Sequence, residues 1–177
     1  MTEPVDRTAI AAELENDRIR LHQLLAGADA DDLRRRSDGT RWTNEQLLFH
    51  MVFGYLVVRT LLPLVHAVSR LPAPFSRGWA ALLDFGRRPF HVVNYLGSVA
   101  GARVFNHARM GRLCDRTVSA LQRHLDREPE GALHRGMPFP TTWDPYFTRY
   151  MTLAEVYRYP ARHFEHHRRQ LTLGGDS

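Results

Sequence analysis

The feature that most constrains this chain is a set of side chains near the C-terminus, repeated in alternating steps of three and four residues. Positions 153, 156, 160, 163, 167 and 170 hold Leu153, Val156, Pro160, His163, His167 and Gln170. This spacing puts all six residues on one face of an α-helix, and such a face packs against other helices. The pattern therefore predicts two histidines in the interior of a helical protein.

A second helical stripe carries a histidine in the same kind of position. Positions 47, 50, 54, 57, 61 and 64 hold Leu47, His50, Gly54, Val57, Leu61 and Leu64, so His50 is the only polar member. Inward-facing histidines are costly unless they find partners. A divalent metal shared by His50, His163 and His167 would satisfy all three, and the one-turn spacing of the latter pair suits it. The alternative is three core histidines satisfied by hydrogen bonds, and spacing alone leaves both interpretations open.

The rest of the pattern predicts an all-α fold with a single domain over residues 1–177. Apolar residues recur at helical spacing in residues 6–27, 43–69, 99–127 and 152–173, and no segment alternates as a strand does. Thr43 with Gln46, and Thr152 with Glu155, have the form of capping boxes. We expect four long helices, one or two short helices or turns in 71–98 between the second and third, and a long loop over 128–150.

Composition narrows the classes of function. The chain has 177 residues, 44% of them hydrophobic, and its one cysteine, Cys114, excludes an internal disulfide or a cysteine-rich zinc site. The net charge of +5 is dispersed, which favours no nucleic-acid partner. Arg59 and Pro63 interrupt the longest apolar run, and the N-terminus does not have the pattern of a signal peptide. We therefore expect a cytoplasmic protein without a membrane or nucleic-acid partner.

Two segments resemble the DinB/YfiT-like metalloprotein superfamily. Residues 41–50 contain Trp42, Thr43 and, seven residues after the threonine, His50, like the start of that family's second helix. Residues 162–171 resemble its closing motif, in which a histidine is followed four residues later by a second histidine, then an arginine and a glutamine. The two motifs occur in the family's order, and the resemblance spans about residues 6–173.

The resemblance implies a four-helix bundle in up-down-down-up order, often a homodimer, with His50, His163 and His167 as metal ligands. The metal would be zinc, nickel or iron. The activity implied first is that of a thiol S-transferase, which joins a low-molecular-weight thiol to a small electrophilic substrate. The alternatives are another metalloenzyme on the same site, either a hydrolase or an iron-dependent oxidative enzyme, and a non-catalytic module that binds a metal or small ligand.

Several further residues receive provisional roles. Gln170, one turn from His167, would orient that ring or would simply be satisfied against the backbone. His166 points about 100° away from the stripe and is left out of the site. Arg59, Arg103 and Arg109 would hold a carboxylate of a thiol, or would simply be solvated. Trp42 is interpreted as packing at the helix start. No acidic residue on either histidine stripe qualifies as a general base.

Overall fold

A computed structural model describes residues 3–72, 78 and 87–174 of the chain. The helices of this part are α1 (Arg7–Gly27), α2 (Ala30–Arg34), α3 (Asn44–Val68), α4 (Arg87–Val104), α5 (His107–Arg127), α6 (Glu130–Leu133) and α7 (Leu153–Arg168). Two short strands, β1 (Gly136–Pro138) and β2 (Tyr150–Thr152), complete the described elements. The fold is mostly helical, as the apolar periodicity predicts.

The core lies between four of the long helices, α1, α3, α5 and α7. Helix α3 packs against α4, α5 and α7, and α1 packs against α5 and α7. Fully buried aliphatic and aromatic side chains from all four fill the interior, among them Ile10, Met51, Leu121 and Phe164. The up-down-down-up order of a four-helix bundle stays a prediction.

Both predicted capping boxes are present and fix where the histidine-bearing helices begin. The Thr43 side chain accepts from the backbone N–H of Gln46, whose own side chain accepts from Thr43 N at 3.1 Å. Thr152 and Glu155 form the equivalent pair at the start of α7. Because these boxes satisfy the free N–H groups of the first turn, each helix starts at a defined residue. The position of every later side chain on the helix follows from that start.

A buried asparagine joins the start of α3 to the chain beyond α7. The Asn44 side chain donates to the Asp32 carbonyl at 2.8 Å and accepts from Thr172 N at 3.1 Å. The Thr172 hydroxyl also donates to the Arg36 carbonyl at 2.8 Å. These bonds hold the N-terminal end of α3 next to the C-terminal end of α7, where His50 and His167 lie.

Two helix boundaries differ from the prediction. The third long helix is interrupted at Phe105–Asn106, so that α4 covers part of the predicted 71–98 insertion and α5 begins only at His107. Apolar spacing continues across the break, so periodicity does not reveal it. Helix α7 ends at Arg168 and not near residue 173, because the chain turns there to make the Thr172 contacts. Most of 71–86 lies outside the described residues.

The expectation of no strands was wrong for the 128–150 region. Strands β1 and β2 pair antiparallel, with Gly136 opposite Thr152 and Pro138 opposite Tyr150. A Cβ on Gly136 would lie 2.2 Å from the Met151 carbonyl oxygen, so only glycine allows this approach. Strands of three residues are too short to show alternation. Their pairing nevertheless folds the long loop back against α7.

Of the described helices, only α3 is long and apolar enough to cross a membrane by length and composition. In this structure 56% of its apolar window is buried inside the protein, as in the core helix of a helical domain. Helix α3 contacts three other long helices and the short helix α2, and it carries buried His50 in its second turn. Its apolar character is thus accounted for by packing.

Candidate metal centre

The three histidines singled out from the two stripes meet in the structure. Their ring centroids are 4.8 Å apart for His50 and His163, 4.7 Å for His50 and His167, and 4.5 Å for His163 and His167. One nitrogen from each ring lies within 4.8 Å of the other two. We refer to these three residues as the histidine cluster. Helix α3 supplies one member and consecutive turns of α7 supply the other two.

A serine on α4 determines the tautomer of His50. Ser98 Oγ donates its proton to the Asn94 carbonyl at 2.8 Å, so it can only accept at the 3.0 Å contact with His50 Nδ1. His50 Nδ1 therefore carries the hydrogen, and the lone pair lies on Nε2. Ser98 and His50 are both buried, so this arrangement is protected from water.

Gln170 does the same for His167, as the sequence motif indicated. Its Oε1 accepts from His167 Nδ1 at 2.6 Å, which leaves the Nε2 lone pair of His167 free. Gln170 lies just beyond the end of α7, and its backbone carbonyl accepts from Asp38 N at 2.8 Å. The residue that orients His167 is therefore itself anchored to the loop before α3.

Gly54 provides the space for the third ring. A Cβ at this position would lie 2.9 Å from His163 Nδ1, so the room left by the missing side chain is taken by the imidazole itself. His163 is 4% exposed, and its Nδ1 has no hydrogen-bond partner among the described residues. A buried polar atom without a partner costs about 1–3 kcal/mol. The ring therefore occupies a place where a ligand would relieve a cost.

All three imidazoles are held in the neutral form. Burial, followed by the neighbouring His167, lowers the pKa of His50 to about 3. Burial and the other histidines lower the pKa of His163 well below its usual value, and burial also lowers the pKa of His167. Neutral imidazole is the form that binds metals. Three converging neutral rings, two with defined tautomers and one with an unsatisfied nitrogen, fit a divalent metal ion.

An apolar cavity of about 310 Å³ opens beside the histidine cluster. One wall is the face of α3 that carries Val57, Leu61 and Leu64. The sequence placed these residues on an inward stripe, but they line the cavity, and Leu61 is 38% exposed. The packed side of α3 is formed instead by the residues one position away on the helix, including Val58 and Leu62.

Trp42 is part of the site, which corrects its interpretation as packing at the helix start. Its ring stacks on His50 with centroids 4.3 Å apart and an interplanar angle of 27°, and it lines the cavity. The indole Nε1 is buried and has no partner among the described residues. A tryptophan so close to a capping box looks structural in a sequence, and no local signal shows that its ring covers a histidine.

Asp144 is a site residue that the sequence did not indicate. It comes from the 128–150 region, lines the cavity, and places Oδ2 3.9 Å from His163 Nε2. Tyr159 donates to the same oxygen at 2.9 Å, and Tyr146 N donates to Oδ1 at 2.8 Å. Burial and Asp144 together raise the pKa of Tyr159 above its usual range, so its hydroxyl stays a donor. Neither histidine stripe carries an acidic residue, and the hairpin brings one from another part of the chain.

The remaining candidates fall outside the cluster. Arg59, Arg103 and Arg109 are exposed and do not line the cavity, so the solvated interpretation holds. His166 is not among the converging nitrogens, as expected, although it does line the cavity and its Nδ1 lies 3.2 Å from the Tyr146 hydroxyl. Cys114 is buried, and burial raises its pKa to about 12, which makes it an inert core residue.

A second, polar cavity adjoins the histidine cluster. It shares Trp42, Asn94 and His167 with the apolar cavity, and its remaining walls include Arg41 and Gln170. The Arg41 guanidinium lies over the Tyr95 ring, 5.0 Å from the centroid. The cluster thus has an apolar chamber on one side and a polar one, with a cation, on the other.

Comparison with known families supports the resemblance carried by the two sequence motifs. The model of the DinB superfamily matches residues 13–171, which is most of the chain and includes all three members of the histidine cluster. Comparison with curated proteins and with solved structures gave no match. Since the match runs from α1 to the end of the closing motif, this chain belongs to the DinB superfamily.

Proposed function

We propose that this protein is a metal-dependent enzyme in which His50, His163 and His167 hold one divalent ion. The observation that carries the proposal is the convergence of three neutral imidazoles on one point beside an open cavity. Three protein ligands with an open position are typical of catalytic zinc, whereas structural zinc sites are closed by four. Zinc is therefore the first choice of metal, with nickel and iron as alternatives.

Within this proposal, the surrounding residues have definite tasks. Ser98 and Gln170 keep the hydrogens of His50 and His167 on Nδ1, so that both rings present Nε2. Trp42 covers the outer face of His50 and excludes water from it. A bound divalent ion would lower the pKa of a thiol or water molecule that binds to it. Asp144, held by Tyr159 and Tyr146, would accept a proton at Oδ2.

The preferred reaction is transfer of a low-molecular-weight thiol to an electrophile. Such thiols carry a polar or charged body, and the polar cavity with Arg41 and Gln170 offers it a place next to His167. The apolar cavity then remains for the electrophile. A site with two chambers of opposite polarity suits two unlike substrates better than one.

A hydrolase on the same site is the second candidate, and Asp144 is the observation that favours it. Asp144 lines the same cavity as the histidine cluster, and a carboxylate that reached a metal-bound water could orient and deprotonate it, as in many zinc hydrolases. Consumption of an activated ester without thiol would identify this reaction. An iron-dependent oxidative enzyme or a non-catalytic binding module would follow from iron as the native metal or from binding without turnover.

We propose a cytoplasmic location, with no nucleic-acid or membrane partner, and a homodimer. The dimer has one specific support, because α4 exposes Val92, Val93 and Leu96 on its surface. Exposed apolar residues in a group are typical of interaction sites. The molar mass in solution tests it, and a monomer at all concentrations would exclude it. We also propose that α1, α3, α5 and α7 form the family's up-down-down-up bundle.

The test of the metal site measures metal content by mass spectrometry on tag-free protein and on His50→Ala and His163→Ala variants. We expect about one ion per chain in the parent and metal affinity at least about 100-fold weaker in both variants. Loss of a residue that only hydrogen-bonds to a metal ligand costs about 10–100-fold in affinity, and loss of the ligand itself should cost more. His124→Ala, an exposed histidine on α5, is the matched control. A parent that takes up no metal even after reconstitution would reject the proposal.

The test of the reaction follows electrophile consumption with a panel of low-molecular-weight thiols. The metal-loaded protein should accelerate the reaction with at least one thiol, and the triple His→Ala variant should not. Equal rates for the two proteins would reject the transferase while leaving the metal site intact. Turnover in the absence of thiol would favour the hydrolase instead.

A further inference from the structure

The walls of the apolar cavity are hydrocarbon over most of their area. The lining includes Val57 and Leu64 of α3, Phe139 and Phe147 of the 128–150 region, and Met137 of β1. The ring centroids of Phe139 and Phe147 lie 5.2 Å apart, so the two aromatic side chains form a continuous surface. A volume of about 310 Å³ lies at the lower end of the range for small-molecule sites.

The one carboxylate in this lining lies beside the histidine cluster, with Asp144 Oδ2 3.9 Å from His163 Nε2. Leu61 and Leu64 of α3 belong to the apolar part of the lining. The hydrogen-bonding partners of Asp144 come from Tyr159 and the backbone, which fixes its oxygen toward His163. A ligand in this chamber would therefore have one polar, reacting end and a hydrocarbon body.

No lysine or arginine lines this cavity among the described residues. Arg41 lines the polar cavity, which shares Trp42 with the apolar one, and does not line the apolar cavity. A carboxylate or phosphate on the body of a ligand would lose its hydration and gain no lysine or arginine partner, which is unfavourable in an apolar site. Asp144 would add repulsion. The chamber thus selects against anionic ligands.

We propose that the molecule bound in this chamber is a neutral, largely apolar electrophile, with its reacting group at Asp144 and His163 and its hydrocarbon body between α3 and the 128–150 region. This assignment rests on the proposed function, because it names the second substrate of that reaction. It also assigns the charged part of the thiol to the cavity of Arg41. The two chambers then sort the two substrates by polarity.

The test is calorimetric titration with a matched pair of probes, naphthalene-2-methanol and naphthalene-2-carboxylate, at neutral pH. Both chelator-treated and metal-loaded full-length protein are used. We expect the alcohol to bind both forms, and the carboxylate to bind the chelator-treated form at least about tenfold more weakly, from the cost of burying an unpaired charge. Carboxylate binding to that form as tight as alcohol binding would overturn the proposal.

Two variants locate the binding. Val57→Phe fills the chamber and should weaken alcohol binding at least about tenfold, whereas Leu56→Phe, its half-buried neighbour outside the lining, should not. Leu61→Arg adds a cation at the exposed edge and should narrow the difference between carboxylate and alcohol. Unchanged alcohol binding by a folded Val57→Phe variant would place the probe elsewhere and reject the assignment.

The result is separable from that of the proposed function. If the protein bound the alcohol but held no metal and transferred no thiol, the proposed class of ligand would stand and the proposed enzymatic function would be rejected. If the protein transferred a thiol but did not bind the alcohol, the proposed transferase activity would stand and the proposal of an apolar electrophile would be rejected.

Discussion

Two of the buried polar side chains of helix α3, His50 and Tyr55, lie five residues apart, and their surroundings differ completely. Tyr55 faces α1, where its hydroxyl donates to Asp17 at 2.7 Å, and the packing around it is closed. His50 faces α7, where it meets two more imidazoles and a cavity. The Tyr55 hydroxyl therefore has a hydrogen-bond acceptor in Asp17, whereas the histidine cluster contains a ring nitrogen without a partner among the described residues.

The difference separates a polar group that serves the fold from one that serves a ligand. In the Asp17–Tyr55 pair a donor meets an acceptor, and losing either partner leaves a polar group unsatisfied. In the histidine cluster each ring keeps a lone pair that no protein donor meets, and His163 Nδ1 has no partner among the described residues. Removing a ring of the histidine cluster should weaken ligand binding, and removing one partner of the Asp17–Tyr55 pair should lower stability.

The largest expected effect is that of His163→Leu. This change should abolish metal binding, yet raise the free energy of unfolding of the chelator-treated protein by about 1 kcal/mol, because it removes an unsatisfied buried nitrogen. Urea denaturation in chelator, together with metal content, measures both. His124→Leu on exposed α5 should change neither by more than about 0.5 kcal/mol. A clear loss of stability for His163→Leu would make this histidine a structural residue.

Tyr55→Phe should have the opposite signature. It removes the hydrogen bond to Asp17, so the free energy of unfolding should fall by about 1 kcal/mol, whereas metal affinity should stay within about twofold of the parent. Denaturation and competitive metal titration on the same preparation supply the two numbers. If metal affinity fell with stability, the two regions would be coupled and the contrast between them would not hold.

The smallest expected effect is a dependence on pH from Asp17. Burial raises its pKa to about 6, against 3.8 for the ordinary side chain, so the folded state binds the proton more tightly. Its contribution to stability is therefore fully present below pH 4 and is lost as the pH rises through 6. Going from pH 4 to 7, the parent should lose about 1 kcal/mol relative to Asp17→Asn, after allowance for partial exposure.

The measurement is the difference in unfolding free energy between parent and Asp17→Asn at each pH, in chelator. Using a difference cancels the other carboxylates, such as Glu165, whose pKa its arginine partners lower. A difference that does not change between pH 4 and 7 would show that Asp17 titrates as an exposed side chain does.

The sequence predicted the histidine cluster because its three members lie at core positions of strongly periodic helices. His163 and His167 are one turn apart, and His50 follows a capping box that determines where its helix starts. Helical spacing and capping boxes can be recognised in a sequence without knowledge of contacts between distant segments. The same reasoning misplaced Leu61 and Leu64, because periodicity identifies a face of a helix but not whether that face meets another helix or a cavity.

The roles of Trp42 and Asp144 could not be predicted from local sequence patterns. Each lies outside a helix and reaches the site through contacts between segments far apart in sequence. Asp144 depends on the pairing of β1 with β2, which Gly136 alone permits, and those strands are too short to leave a pattern. Ser98 likewise reaches His50 only because α4 packs on α3.

By itself, the sequence determined that this chain is helical, that it belongs to the DinB superfamily, and which three histidines share an interior. Helical spacing and capping are local properties, so they survive in the linear order of residues. The tertiary structure alone decided which nitrogen each of His50 and His167 presents, that the cluster adjoins two cavities of different polarity, and that a carboxylate lies beside His163. Those properties depend on hydrogen bonds and voids between distant segments, whose geometry exists only after packing.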